Sequence, residues 1–244
     1  MAKDINSKER KESIVIFGYR DTMVGLLIEY MNIDEKYTVE YFISVNPLPN
    51  LDIEAEHKKR PNSKTEFVVD HRIYGKPVYV GLDYLKKIKK EGIKKVAVFE
   101  DDKDTRHFIF SSLKNTGIEI LSFIHPSVFL GGKNDFGTGV IIFPNCYIGY
   151  KSDIGEGTVI QSGCTIEHHN RVGAFTHINP SLTTGGFTRI GDLVEISMSV
   201  DIINRINVEN GAKIGAGSLV LKNCEKNTLY YGRPAKPVRK IQVV

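Results

Sequence analysis

Residues 154–196 read IGEGTVIQSGCTIEHHNRVGAFTHINPSLTTGGFTRIGDLVEI, and an isoleucine or valine returns at almost every sixth position. The same step extends outward in both directions and covers 17 positions, of which 16 are apolar, in a chain that is 41% apolar overall. The positions are Ile124, Leu130, Phe136, Ile142, Ile148, Ile154, Ile160, Ile166, Val172, Ile178, Thr184, Ile190, Ile196, Ile202, Val208, Ile214 and Val220. Six residues is the period of neither a helix face nor a half-buried strand, so it indicates a structural repeat.

Glycine follows the stepped position eight times in this stretch. A β-branched residue and then glycine, every six residues, indicates short flat strands joined by tight corners. One such unit cannot bury its side chain alone, whereas stacked units bury a continuous ladder. With three units to a triangular coil, equivalent positions in successive coils lie about 4.8 Å above one another. The 17 steps therefore predict a parallel β-helix of between five and six coils.

Strand and helix patterns alternate before the repeat begins. Strands are predicted over residues 13–18, 37–45, 78–80, 95–100 and 118–123, and helices over 21–31, 83–90 and 105–116. On the last helix, Phe108, Ile109, Ser112 and Leu113 are expected to face inward. Residues 46–66 are polar with three prolines and indicate a loop. The alternation predicts a small parallel α/β domain of Rossmann type.

The predicted organisation is a disordered tail over residues 1–12, a Rossmann-like domain over 13–122, a β-helix over 123–228 and a C-terminal tail over 229–244. The net charge of +4 weakly favours an anionic small ligand and disfavours a nucleic-acid partner. The three cysteines are too few for a disulfide framework and are typical of a reducing cytosol. Residues 1–12 lack the apolar core of a signal peptide, and no apolar run is long enough to span a membrane. We therefore expect a cytoplasmic protein without a membrane partner.

Four stretches carry a resemblance to a known family. They are FIHPS at Phe123–Ser127, IEHHNRVG at Ile166–Gly173, His177 nine residues after His168, and YGRPAK at Tyr231–Lys236. With the two-part layout, these stretches resemble the nucleotide-sugar acyltransferases related to sialic acid O-acetyltransferase, bacillosamine-pathway N-acetyltransferase and perosamine N-acetyltransferase. The resemblance covers nearly the whole chain. It implies a left-handed β-helix, coenzyme A thioester as donor, a nucleotide-linked amino sugar as acceptor, and sites built between the subunits of a homotrimer.

Acyl transfer needs a general base at the acceptor and a hydrogen-bond donor at the developing oxyanion. The resemblance implies that His168 is the base and that His177 contacts the acetyl end of acetyl-CoA. Gly186 lies one predicted coil after His168, and a glycine there leaves its N–H open to a thioester carbonyl. We therefore predict that Gly186 is the oxyanion donor. The alternative for His168 is an ordinary solvated histidine at a corner.

The chain departs from the family at two places. His169 stands where the family has an acidic residue that holds the base, so Glu167 or Asp201 is a candidate to replace that acid. In the first loop only Gly18 remains of the family's glycines, and Thr22 stands where a histidine meets the sugar nucleotide.

Arg20, in the same loop, is a candidate ligand for a phosphate at the helix N-terminus, or it simply covers the sheet edge. With Gly18 and Thr22 it forms the predicted acceptor-binding set.

The last coils supply the predicted coenzyme A contacts. Ala216 and Gly217 are small enough to let a pantetheine arm lie flat, and Lys222, Arg233 and Lys236 are candidates for the phosphates. Each of these cations alone is also an ordinary surface charge.

The function expected from these features is acetyl-CoA-dependent N-acylation of an amino-deoxy sugar on a nucleotide carrier. Alternatives are O-acylation, a different acyl group, or a catalytically silent binding subunit. A γ-type zinc carbonic anhydrase is disfavoured, because no two histidines are five residues apart and adjacent His168 and His169 do not easily reach one metal ion.

Two structural expectations accompany this function. Val200, Ile203 and Ile206 are expected on flat side faces that a trimer would cover. Thr184, the apolar ladder's exception, is expected to trim the core beside Gly186, so that Thr184→Val costs little stability.

Overall fold

The structure is a computed structural model, and it describes residues 11–30, 33–48 and 68–242. Most of the predicted tail over 1–12 and of the predicted loop over 46–66 lies outside the described residues, as does residue 31 of the first predicted helix. By its internal contacts the chain divides into two compact units, residues 1–96 and 97–244. The predicted boundary between residues 122 and 123 is placed where the six-residue repeat begins, and the predicted domain limits stay a prediction.

The first unit is a Rossmann-like α/β sheet with helices. Its elements are β1 (Glu12–Phe17), α1 (Asp21–Tyr30), α2 (Ile33–Lys36), β2 (Tyr37–Ser44), β3 (Arg72–Ile73), β4 (Lys76–Val80), α3 (Tyr84–Lys90) and β5 (Lys95–Val98), which carries the chain into the second unit. The strand order is β3-β4-β2-β1-β5, with β1, β2 and β4 parallel and β3 antiparallel to β4. Residues Ile14–Phe17 of β1 are fully buried, as a central parallel strand requires.

The second unit begins with α4 (Lys103–Leu113) and β6 (Glu119–Ile120). Asp102 caps the helix, since its Oδ2 accepts the N–H of Thr105 at 2.7 Å. The predicted inward face of this helix is partly wrong. Phe108 is 53% exposed, and the buried stripe consists of Arg106, Ile109, Phe110 and Leu113. These positions follow the i, i+3, i+4, i+7 spacing, and an apolar count misses them because the first is an arginine.

No helix within the described ranges is long and apolar enough to cross a membrane.

From Phe123 onward, short strands form three faces of a triangular prism, and all but the last of them have two residues. Face 1 contains β7 (Phe123–Ile124), β10 (Ile141–Ile142), β13 (Val159–Ile160), β16 (His177–Ile178), β19 (Glu195–Ile196), β22 (Lys213–Ile214) and β24 (Thr228–Tyr231). Face 2 contains β8 (Phe129–Leu130), β11 (Tyr147–Ile148), β14 (Thr165–Ile166), β17 (Thr183–Thr184), β20 (Asp201–Ile202) and β23 (Leu219–Val220). Face 3 contains β9 (Asp135–Phe136), β12 (Asp153–Ile154), β15 (Arg171–Val172), β18 (Arg189–Ile190) and β21 (Asn207–Val208).

Within the prism, each of these short strands pairs in parallel with its counterpart one coil later, as in Ile142↔Ile160 and Val172↔Ile190. The inward ladder is as predicted: every stepped position from Ile142 to Val220 is at most 3% exposed. In the first coil, which has no coil beneath it, Leu130 is 43% exposed. The predicted β-helix is therefore confirmed down to its register.

The end of the chain extends the same prism. The predicted C-terminal tail contains most of β24, which pairs in parallel with β22, and all of β25 (Lys236–Lys240), which pairs antiparallel with β24. Phosphate-binding candidates from this segment are thus held on a paired hairpin.

The expected apolar side face is partly wrong. Val200 is fully buried and Ile206 is 6% exposed, because both point into the prism, whereas Ile203 is 41% exposed. Only one of the three residues is available to a neighbouring subunit.

Candidate active site

The turns between faces 2 and 3 stack into one edge of the prism, which we call the histidine corner. One position recurs in it once per coil, and its occupants are Lys133, Lys151, His169, Phe187 and Arg205. All five have positive φ, between +53° and +61°. Because the backbone conformation repeats, their side chains form a column. The corner therefore presents charged and aromatic side chains beside one another.

His168 is exposed, and its ring covers Gly186, one coil further on. A Cβ placed on Gly186 would lie 2.5 Å from Cε1 and 2.7 Å from Nε2 of His168, so the exposed ring would have to move away to admit any side chain there. In the described part of the chain, no hydrogen bond involves the Gly186 N–H. The glycine thus gives the imidazole its space, and its backbone N–H, buried under the ring, is without a hydrogen-bond partner in the described part of the chain.

His168 and His169 form a pair, with their Nδ1 atoms 3.1 Å apart. One of these nitrogens must carry the proton, and when His168 is the donor its Nε2 is free to accept one. His169 stacks on Phe187, with ring centroids 4.7 Å apart and an interplanar angle of 13°, and meets the edge of Tyr150 at 5.8 Å. The aromatic contacts therefore orient His169, and His169 orients His168.

The two candidate replacement acids have other partners. The Glu167 carboxylate accepts the backbone N–H of His168 at 3.2 Å, and Asp201 pairs with Arg233 at 2.9 Å. In the described residues neither carboxylate has a recorded contact with the His168 or His169 ring. His169 remains the group that holds the His168 imidazole.

A buried polar cluster supports the turn that carries the histidine pair. The Thr184 hydroxyl accepts the N–H of Glu167 at 3.1 Å and a side-chain N–H of Asn170 at 2.5 Å, and it lies 3.3 Å from the carbonyl of Thr165. Asn170 also accepts the N–H of Thr188 at 2.7 Å. The expectation that Thr184→Val costs little is therefore wrong, because valine would leave buried donors on both sides of His168 and His169 without a partner.

His177 lies elsewhere, on face 1, and is only 8% exposed. Burial is the main cause that lowers its pKa to about 4; nearby Arg106 acts in the same direction, while Glu195 and a backbone hydrogen bond to Asp101 oppose it. The ring is neutral at neutral pH, and its Nδ1 is buried without a hydrogen-bond partner among the described residues. An unpaired buried nitrogen of this kind can meet a ligand donor or acceptor.

Arg106 is a residue that sequence reasoning missed. It is fully buried in α4 and donates to the carbonyls of Gly157 at 2.6 Å, Glu100 at 2.6 Å and Phe175 at 3.4 Å. Burial lowers its pKa to about 10, so the guanidinium stays charged. It fastens the helix to two successive corners of the prism and places a positive charge near His177.

With this geometry in place, the molecule can be compared with known proteins. Perosamine N-acetyltransferase from Caulobacter crescentus, solved with CoA and GDP-perosamine, superposes with a TM-score of 0.77 at 21% identity over 93% of this chain and 97% of that chain. The acetyltransferase domain of PglB from Neisseria gonorrhoeae, solved with acetyl coenzyme A, gives 0.75 at 19% identity over 94% and 100%. The chain has the fold of these acetyltransferases. The predicted Rossmann-like domain followed by a left-handed β-helix is confirmed by them.

The sequence alignment with a known protein covers a smaller part of the chain. A Schizosaccharomyces pombe protein named as an acetyltransferase is 45% identical over 49 residues, which span 20% of this chain and 24% of that protein. The match thus covers about a quarter of the curated relative's length. No protein-family model matches the chain.

In this acetyltransferase fold the predicted donor-binding residues are dispersed. Lys222 is exposed on the histidine corner, two coils after Gly186, whereas Ala216 is exposed on the corner between faces 1 and 2. Arg233 is paired with Asp201 and Lys236 begins β25. The structure brings His168, His169 and Gly186 together, and it separates them from Ala216 and His177.

The predicted acceptor residues lie in the first unit. Gly18 directly follows β1 with φ +117°, which favours glycine, and its N–H donates to the carbonyl of Ile43 at 2.9 Å. Arg20 is exposed, and its carbonyl accepts the N–H of Val24 in the first turn of α1. Thr22 lies in α1, and its side chain is outside the described residues. From β1 the strand order runs to β2 on one side and β5 on the other, the place where open α/β sheets bind ligands.

Proposed function

We propose that this chain transfers an acetyl group from acetyl-CoA to the amine of a nucleotide-linked amino sugar. One observation carries the proposal: the exposed His168 imidazole lies on Gly186, whose N–H has no hydrogen-bond partner among the described residues. The setting supports it, because the fold is that of proteins solved with CoA and GDP-perosamine and with acetyl coenzyme A.

In the proposed step, Nε2 of His168 takes a proton from the acceptor amine as its nitrogen attacks the thioester carbonyl carbon. The Gly186 N–H donates a hydrogen bond to the oxygen that becomes negative. The carbon–sulfur bond then breaks, the amide forms, and the proton held by His168 leaves with the thiol. His169 accepts the Nδ1–H of His168 throughout, so the pair keeps one tautomer.

The remaining donor contacts are inferred from position and chemistry. His177 is proposed to contact the acetyl end of the donor, and its unpaired Nδ1 is able to accept a hydrogen bond from an N–H of the pantetheine arm. Ala216 leaves room for the pantetheine arm, and Lys222, Arg233 and Lys236 meet the phosphates. The ion pair between Arg233 and Asp201 means that this arginine would have to exchange partners.

The acceptor is proposed to contact Gly18, Arg20 and Thr22. Two features support this. These residues follow the carboxyl end of β1, where the strand order reverses, and the Arg20 guanidinium is exposed. Association as a homotrimer and a cytoplasmic location are proposed with the same function.

Two alternative functions would use the same site but give a different product or none. O-acylation would use His168 in the same way on a sugar hydroxyl. A silent binding subunit is favoured by one observation, the neutral His169 in place of an acid, since a histidine cannot stabilise the imidazolium as a carboxylate does.

The test is to mix the protein and acetyl-CoA with a panel of GDP- and UDP-linked amino sugars, and to follow free thiol and the acetylated product. Release of thiol with an amide product is expected. A hydroxyl-linked acetyl group would favour O-acylation, and CoA binding without turnover on any acceptor would favour the silent subunit. Failure to bind CoA would contradict the proposal.

A further inference from the structure

A groove of about 430 Å³ runs along the histidine corner and onto face 3. Its lining residues are Lys133, Lys151, Asp153, His169, Arg171, Phe187 and Arg189. Apart from the histidine, the four cations and one carboxylate give the lining a formal net charge of +3. A charge this one-sided concentrates anions at the groove.

The fold itself does not account for this concentration of charge. Arg171 and Arg189 are register partners on adjacent strands, and like charges placed opposite one another are destabilising. Asp153 offsets only Arg171, from 3.6 Å and in an exposed pair. Within the described ranges, Lys133, Lys151 and Arg189 have no carboxylate within ion-pair distance. The outward positions of a β-helix accept any polar residue, so the fold does not require four cations here.

The lysines are held in place by an aromatic ring instead of by an acid. The Nζ atoms of Lys133 and Lys151 lie 5.9 Å and 5.2 Å from the centre of the Tyr150 ring. These cation–π contacts keep both ammonium groups at the groove without neutralising them. The opposite wall carries the two guanidinium groups, whose planar forks suit phosphate oxygens.

We propose that this groove binds the phosphate groups of a substrate, with Arg171 and Arg189 as direct ligands and Lys133 and Lys151 supplying charge. The inference rests on the proposed function, because the groove begins at His169, the partner of the proposed base. Two substrates carry this chemistry: the diphosphate of the sugar nucleotide, and coenzyme A with its diphosphate and 3′-phosphate. The site is separate from the phosphate contacts predicted at Lys222, Arg233 and Lys236.

The test compares Arg171→Gln/Arg189→Gln with a matched control, Lys226→Gln/Lys240→Gln. The control removes the same number of charges from exposed positions outside the groove, one of them in a surface pair with Glu225. The probes are inorganic pyrophosphate, GDP, UDP, coenzyme A and dephospho-coenzyme A, with affinities measured by calorimetry at fixed ionic strength. Equal melting temperatures establish that both variants fold.

The groove variant is expected to bind pyrophosphate at least about tenfold more weakly than the control, because two charged hydrogen-bond partners are lost. A matching loss for GDP and UDP with coenzyme A unchanged identifies the sugar nucleotide as the source. A matching loss for coenzyme A, smaller for dephospho-coenzyme A, identifies the donor. Wild-type affinity of the groove variant for pyrophosphate, both nucleotides and coenzyme A would overturn the proposal.

The two proposals can fail separately. If the groove variant binds every probe normally while the wild-type chain acetylates an amino sugar, the groove is wrong and the enzymatic function stands. If pyrophosphate affinity falls in the variant but the wild-type chain binds no acyl-CoA, the groove stands and acyl transfer is wrong.

Discussion

His168 and His177 are nine residues apart in one repeat, half a coil from each other, and their surroundings are opposite. His168 is exposed at a corner with His169 as its partner, whereas His177 is 8% exposed on face 1 with an unpaired Nδ1. The repeat placed both side chains outward. The difference arises from Arg106 and the backbone of Asp101 beside His177, which belong to no repeat.

The contrast separates two kinds of chemistry. A histidine with its pKa near 4 is a weak base at neutral pH, so His177 is suited to contact a ligand as a neutral ring. His168 reaches solvent and has a partner for its Nδ1, as a proton acceptor requires. Four experiments test this division of roles and the site that supports it.

The largest effect is expected for His168→Ala, which removes the proposed base. Turnover should fall about 10²–10⁴-fold while coenzyme A binding is unchanged, because the base acts on the acceptor. Thiol release and calorimetric titration measure the two quantities. His125→Ala, which removes a half-buried histidine from the first coil, is the control. Full activity of His168→Ala would contradict the mechanism.

His177 should contribute a pH dependence to the stability of the chain. The pKa of His177 is about 4 in the folded chain and near 6.5 when unfolded, so between these values only the unfolded state binds the proton. The free energy of unfolding should therefore fall as pH drops from 6.5 to 4, by up to about 3 kcal/mol from this group. Urea denaturation of His177→Gln should show a shallower dependence than that of the wild type. Equal slopes in wild type and His177→Gln would refute the assignment.

Thr184→Val should destabilise the chain by about 1–3 kcal/mol, because the Asn170 amide and the Glu167 N–H lose a buried partner. Thr184→Ser keeps the hydroxyl and should recover much of this. Thr183→Val, at the exposed neighbouring position, should change stability by less than about 0.5 kcal/mol. Equilibrium denaturation compares all three, and indistinguishable values for the two valine variants would show that the cluster is not supporting the turn.

The smallest effect is expected for His169→Glu. A carboxylate beside His168 favours the imidazolium and raises its pKa, so the acid limb of the rate–pH profile should move upward by about one pH unit. If His169 is itself the base, His169→Glu should be inactive and His168→Ala only impaired. Rates of both variants from pH 5 to 9 distinguish these cases.

Sequence reasoning reached what the six-residue period determines. It located the buried ladder, and by stepping one coil it placed Gly186 against His168. It did not find Arg106, because an apolar count along α4 passes over a buried arginine whose partners are backbone carbonyls. Nor could it see that His177 is covered, since a period states which side chains point outward but not what lies over them.

The column of side chains at the histidine corner could also have been predicted from the repeat. Stepping by whole coils from His169 gives Lys133, Lys151, Phe187 and Arg205, and so exposes the cations near the histidine pair. The hydrogen bonds of Thr184 were not within reach, because the hydroxyl's partners depend on the side-chain rotamer of Asn170.

The coils also set the distances between groups along the prism. Because neighbouring strands are about 4.8 Å apart, any two groups on one edge of the prism are separated by whole multiples of that distance. Inserting one whole coil between Tyr150 and the histidine pair would lengthen the gap between them by one such increment, with every face still in register, and would separate the rings of Tyr150 and His169. Inserting one residue would instead shift every later side chain out of that register. Substrates of different length can therefore be matched by the number of coils.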